Sequence, residues 1–98
     1  YSMGDSLLYI ALYEGNTELV KLLLEAGADP NWLNSMGDSL LYIAVDDNKT
    51  EAVKLLLEAG ADPNKVGSDD PDNTPLSIAR RNEDNPELVE LLIEAGAK

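Results

Sequence analysis

The stretch Leu22-Leu23-Leu24-Glu25-Ala26-Gly27-Ala28-Asp29-Pro30-Asn31 returns unchanged as Leu55 to Asn64, 33 residues further on. Around it, Ser2-Met3-Gly4-Asp5-Ser6-Leu7-Leu8-Tyr9-Ile10-Ala11 returns as Ser35 to Ala44, and residues 2–34 and 35–67 agree at 24 of 33 positions. A looser third copy follows, with Asn73-Thr74-Pro75-Leu76-Ser77-Ile78-Ala79 at an offset of 35 and Leu91-Leu92-Ile93-Glu94-Ala95-Gly96-Ala97 at an offset of 36. A period of this length marks stacked supersecondary units, none of which buries its apolar face alone.

Local signals make each unit a pair of helices. Ser6, Ser39 and Thr74 are placed to cap first helices, and Pro75 stands at a first helical position, where its missing N–H removes nothing. Asn16 and Asn85 stand where second helices begin, the latter followed by Pro86. Gly15 and Asn48 close first helices, and Gly27, Gly60 and Gly96 close second ones, all being residues that accept a left-handed backbone. Leu19, Val20, Leu22, Leu23 and Leu24 form a wide apolar face opposite Glu18, Lys21 and Glu25. Asp29-Pro30-Asn31 and Asp62-Pro63-Asn64 then open the turn into the next unit.

On these residues the chain resembles the ankyrin repeat family. Thr74-Pro75-Leu76 matches the family's first-helix signature, and Glu18 to Leu24 with Gly27-Ala28-Asp29-Pro30-Asn31 is similar to its second helix and turn. The resemblance implies an all-α solenoid of three helix-turn-helix repeats with projecting hairpin-type turns, one domain over 1–98 divided as 1–34, 35–67 and a cap-like 68–98. It also implies that partners bind at the turn tips and the exposed face of the first helices. The first two repeats depart from the signature: Ser6 to Tyr9 and Ser39 to Tyr42 read Ser-Leu-Leu-Tyr, so Tyr9 and Tyr42 fill the slot of the family's bracing histidine, where packing is the expected role. Near-identical neighbours and the missing histidines are the style of a consensus-derived, engineered chain, and a recent duplication gives the same signature.

Composition narrows the functional classes. The chain has 98 residues, a net charge of -12 and neither histidine nor cysteine, so imidazole and thiol chemistry, disulfides and the usual zinc ligands are absent. A surface this acidic repels nucleic acid and anionic membranes. With no apolar run of the ~20 residues a membrane span needs and no signal-like start, the chain is expected to be soluble. The charge divides as -4, -3 and -5 over the three repeats, a solvating coat with no charged tail. Asp69-Asp70-Pro71-Asp72-Asn73 fails as a calcium loop, since it lacks the turn glycine and has Arg81 at the twelfth place from Asp70. No cofactor or metal is expected, and the serines and threonines are explained as caps, so no enzyme is expected either. Asn48-Lys49-Thr50 is a sequon by pattern alone.

Contact with proteins is what the resemblance implies. Tyr1, Met3, Trp32, Leu33, Met36 and Val66 fall on or beside turns, and Tyr13 falls near the end of a first helix. Single exposed apolar residues are ordinary, whereas a set rich in aromatics and methionine has the composition of an interface core. Asp5, Asp38, Asp46 and Asp47 supply an acidic groove for a basic partner. The last repeat reads as a cap, with Arg80 in place of Leu12 and Val45, Arg81 after it, and Glu90 in place of Lys21 and Lys54. The first repeat keeps Ile10 and Leu19, with Leu12 and Tyr13 beside them, so its outer face is expected to be apolar and to need a cover, either another subunit or repeats that precede this stretch in a longer protein. A second copy of the chain in a two-fold dimer is the favoured partner. A heterologous protein bound by a monomer is the alternative.

Overall fold

The computed structural model describes residues 3–33, 37–65, 74–81 and 85–97, the first four of these as backbone only. Each repeat is an antiparallel helical pair: α1 (Met3–Glu14) with α2 (Thr17–Glu25), α3 (Leu40–Asp46) with α4 (Thr50–Glu58), and α5 (Pro75–Arg81) with α6 (Pro86–Glu94). The first helices α1, α3 and α5 touch in sequence along one layer, and α2, α4 and α6 along the other. Leu8, Leu41 and Leu76, with Val20, Val53, Leu56, Leu88 and Leu92, fill a continuous core between the layers. This is the nearest-neighbour stacking expected of a 33-residue period.

The stop signals act as the residue types predict. After α2 the Gly27 N–H reaches the Leu24 carbonyl at 3.1 Å and the Ala28 N–H reaches the Leu23 carbonyl at 3.0 Å, with Gly27 at φ 100°. That pair of bonds around one left-handed residue is a Schellman close, and Gly60 and Gly96 repeat it at φ 101° and 99°. Gly15 and Asn48 turn each first helix into its partner at φ 76° and 59°.

Two of the expected starts differ. Ser39 caps α3, its Oγ accepting the Tyr42 N–H at 3.0 Å, and Thr74 caps α5 through the Ser77 N–H at 3.2 Å. Ser6, by contrast, lies inside α1, which begins at Met3. Ser39 is held extended by an antiparallel bridge to Leu33 in the preceding turn. Ahead of Ser6 the described residues 3–5 are already helical. Asn16 caps α2 as expected, accepting the Leu19 N–H at 3.2 Å. Asn85 stands at the cap position of α6 but makes no capping bond. Its Nδ2 donates instead to Asn48 Oδ1 and Thr50 Oγ1, both at 2.6 Å, tying the third repeat to the second.

The Asp-Pro-Asn turns do two jobs. Asp29 and Asp62 accept the N–H of the asparagine two residues on, at 2.8 and 2.9 Å, which closes each turn locally. Asn31 then reaches the next repeat, accepting the Asp62 N–H at 2.8 Å and donating to the Gly60 carbonyl at 3.3 Å, and Asn64 donates to the Gly96 carbonyl at 3.2 Å. Among the described residues the turns carry the single Leu33–Ser39 bridge and no paired strands.

An open cleft of about 190 Å³ lies between the first two repeats, with Leu12, Val20, Lys49 and Ala52 on its wall. Ala52 is buried, and its counterparts in the other repeats are Leu19 and Leu88. Ala52→Leu is therefore expected to stabilise the fold by about 1 kcal/mol, a rise of roughly 4–8 °C in Tm. A fall in Tm on thermal melting would show that the cleft has no room for the larger side chain.

Candidate protein interface

Equivalent positions in a stack differ mainly in what lies beside them, so comparing them across repeats separates the ends from the middle. Leu7 and Ile10 on α1 are 45% and 47% exposed, and Leu19 and Leu22 on α2 are 37% and 53% exposed. In the later repeats the counterparts of Leu7 are Leu40 and Pro75, both buried. Those of Ile10 are Ile43, half-buried, and Ile78, buried. Ala52 and Leu88, the counterparts of Leu19, are buried, and Leu55 and Leu91, those of Leu22, are half-buried. Each position thus loses exposure once a preceding repeat packs against it. Residues 7 and 10, and 19 and 22, are three apart on their helices, so each pair lines one face. Together they make one apolar end to the stack.

Covering four half-exposed aliphatic side chains is worth about 3–6 kcal/mol at ~1.5–3 kcal/mol for each fully buried one. The exposed area is on the order of 300 Å², the size of the largest patch that a soluble monomer usually shows.

Ile10 and Leu19 were expected on this face and lie on it. Leu12 was expected beside them and does not: it is 1% exposed. Two residues along a helix is a rotation of about 200°, so Leu12 points away from Ile10, toward the second repeat. It shares the cleft wall with Ala52 there. Leu7 and Leu22 complete the face and were not expected, because their repeat-two counterparts are the same residue type and only the missing neighbour distinguishes them. The signal that finds them is register: they lie three residues from Ile10 and Leu19.

The turn-side set comes together only in part. Tyr13 is well exposed at the end of α1, with its ring 6.5 Å from that of Tyr9. Trp32 folds back to 5.4 Å from the Tyr9 ring and is half-buried against the core. Tyr9 and Tyr42 pack on the core as well, the role expected of them. Leu33 is exposed, Asp38 is half-buried, and Asp46 and Asp47 are exposed. Tyr1, Met36 and Val66 lie outside the described residues, as does the acidic run 69–73, and Met3 and Asp5 are placed in α1 by backbone alone.

At the other end Arg80, Arg81 and Glu90 are exposed. Ile93, the counterpart of the half-buried Leu24 and Leu57, is also exposed. Among the described residues no cluster of carboxylates could hold a metal ion, and no helix is long and apolar enough to cross a membrane.

A comparison with curated proteins finds no match. The family profile for ankyrin repeats, in three copies, matches residues 7–98, nearly the whole of the paired-helix stack. The chain belongs to the ankyrin repeat family, whose repeats serve in general as protein–protein interaction modules and are typically not enzymes.

Proposed function

We propose that this chain self-associates, and that the contact is the open end of its first repeat, met by the same face of a second copy across a two-fold axis. The observation that carries the reading is the exposure of Leu7, Ile10, Leu19 and Leu22 at positions that the later repeats cover. An isologous contact lays this apolar face on an identical one, with the exposed Glu14 at its edge. The opposite end offers a poorer cover, because Arg80 stands in its centre line where Leu12 and Val45 are buried. Near-identity of the first two repeats supports a common parent unit, drawn from a consensus or duplicated.

Size sets the expected strength. A stable dimer buries about 800 Å² per partner, and the face supplies on the order of 300 Å² of apolar area, so the pair is weak and forms at high micromolar concentration. Copies that carry -12 each repel one another, so added salt strengthens the pair. Light scattering behind size exclusion, from micromolar to near-millimolar protein, tests this: the mass rises toward twice that of one chain, and a monomer throughout refutes it.

A second reading is a monomer that binds a different protein through its turns and first-helix face. Exposure of Tyr13, Leu33, Asp46 and Asp47 favours it. A basic partner held there is released by salt, the opposite sign to the dimer.

A further inference from the structure

The cleft between the first two repeats has an equivalent place between the second and the third, and three replacements set the two apart. The apolar wall is common to both: Ala11, Leu12 and Val20 in one, Ala44, Val45 and Val53 in the other, all buried. At the later junction the buried Leu88 stands where the cleft has Ala52. Asn85 stands there in place of Lys49, tied to Asn48 and Thr50 by the two hydrogen bonds from its Nδ2. At the earlier junction Gly15 takes the place of Asn48 and offers no side chain to tie, while Thr17 keeps the hydroxyl of Thr50. The Lys49 ammonium lies against that glycine, 3.6 Å from where a Cβ on it would stand. The outcome is an apolar hollow of about 190 Å³ with a half-buried cation and a hydroxyl at its mouth.

We propose that this cleft binds a small monocarboxylate with a compact apolar body, of the size of benzoate. An apolar cavity of about 150 Å³ is enough to hold a benzene ring, so the hollow has room for one. The ring takes the place that Leu88 fills at the later junction, and the carboxylate accepts a charge-assisted hydrogen bond from Lys49, with the Thr17 hydroxyl as a further donor. An apolar lining with a few polar groups that orient the ligand is the usual make-up of a small-molecule pocket. Glu51 also stands at the mouth, but it is exposed and its repulsion is screened by water, whereas Lys49 is half-buried and its attraction is screened less. An open cleft this small covers only part of its ligand, so the affinity is in the millimolar range. Both walls belong to repeats within this chain, and the site does not depend on what meets either end of the stack.

Benzoate titrated into the whole chain at micromolar protein, followed by backbone amide NMR, tests this. The expected result is a set of saturable shifts centred on Gly15, Thr17, Lys49 and Ala52, weakened by added salt. Ala52→Leu, which restores the side chain of the later junction, abolishes them while the melting temperature holds or rises. Lys49→Gln weakens benzoate by about 10-fold and leaves benzyl alcohol, the same ring without the charge, unchanged. Shifts that do not saturate, or that persist in a stably folded Ala52→Leu, overturn the proposal. If Ala52→Leu melts lower than the parent, Lys49→Gln decides alone, and a benzoate affinity equal to the parent's overturns it. Benzylamine bound as tightly as benzoate overturns it too, because Glu51 would then select the head group.

Discussion

Leu56→Ala is expected to cost about 2–5 kcal/mol and to lower the melting temperature by more than about 10 °C. Leu56 is fully buried on α4, and α4 packs on α2 on one side and α6 on the other. Truncating it leaves a cavity at the one repeat that both ends depend on. Small domains hold only about 5–15 kcal/mol in total, and a three-repeat stack stands near the lower limit, so much of the fold's margin goes with that side chain. Leu22→Ala is the matched control: the same residue type, half exposed at the open end, changes stability by no more than about 0.5 kcal/mol. Chemical unfolding of both variants checks the pair. Equal losses would mean that the central repeat does not carry the core.

Leu19→Glu is expected to weaken self-association by about 100-fold or more, without lowering the melting temperature substantially. In a two-fold contact the substitution enters twice, so about 1.4 kcal/mol at each site already multiplies to that factor. Leu19 is partly exposed in the single chain, where a glutamate finds water, and it is covered in the pair, where it does not. Leu33→Glu, which puts the same charge on a turn tip, leaves the association unchanged. Sedimentation equilibrium at several concentrations reads both. A loss caused by Leu33→Glu would move the contact to the turns.

The architecture was legible because the repeat is nearly literal and its punctuation is local. The closing glycines, the Asn16 and Ser39 caps and the prolines at first helical positions act within a few residues, so the sequence alone locates them. Where a start depends on distant contacts, local preference fails. Ser6 and Ser39 stand in identical sequence, yet Ser39 bridges to Leu33 and caps α3, whereas Ser6 lies inside α1. Asn85 exchanges a cap bond for two bonds to the second repeat, which no local rule anticipates.

The interface was half legible for a related reason. Residue type identifies Ile10 and Leu19 as apolar but says nothing of which neighbour covers them, and Leu7 and Leu22 are the same leucines that become covered at 40 and 55. Leu12 was misplaced by nearness in sequence, although the ~200° between residues 10 and 12 puts them on opposite sides of α1. Trp32 falls beside the turn, as its register predicts, but its fold back onto Tyr9 is a contact that no local rule gives.

The central claim is that copies of the chain meet through the open end of the first repeat. Backbone amide NMR shifts followed through a dilution from near-millimolar to micromolar protein test it most directly, since they report contact and place together. The account predicts concentration-dependent shifts centred on Leu7, Ile10, Leu19 and Leu22, growing with added salt and quiet at the third repeat. Spectra unchanged on dilution, or shifts centred on Trp32 and Leu33, would contradict it.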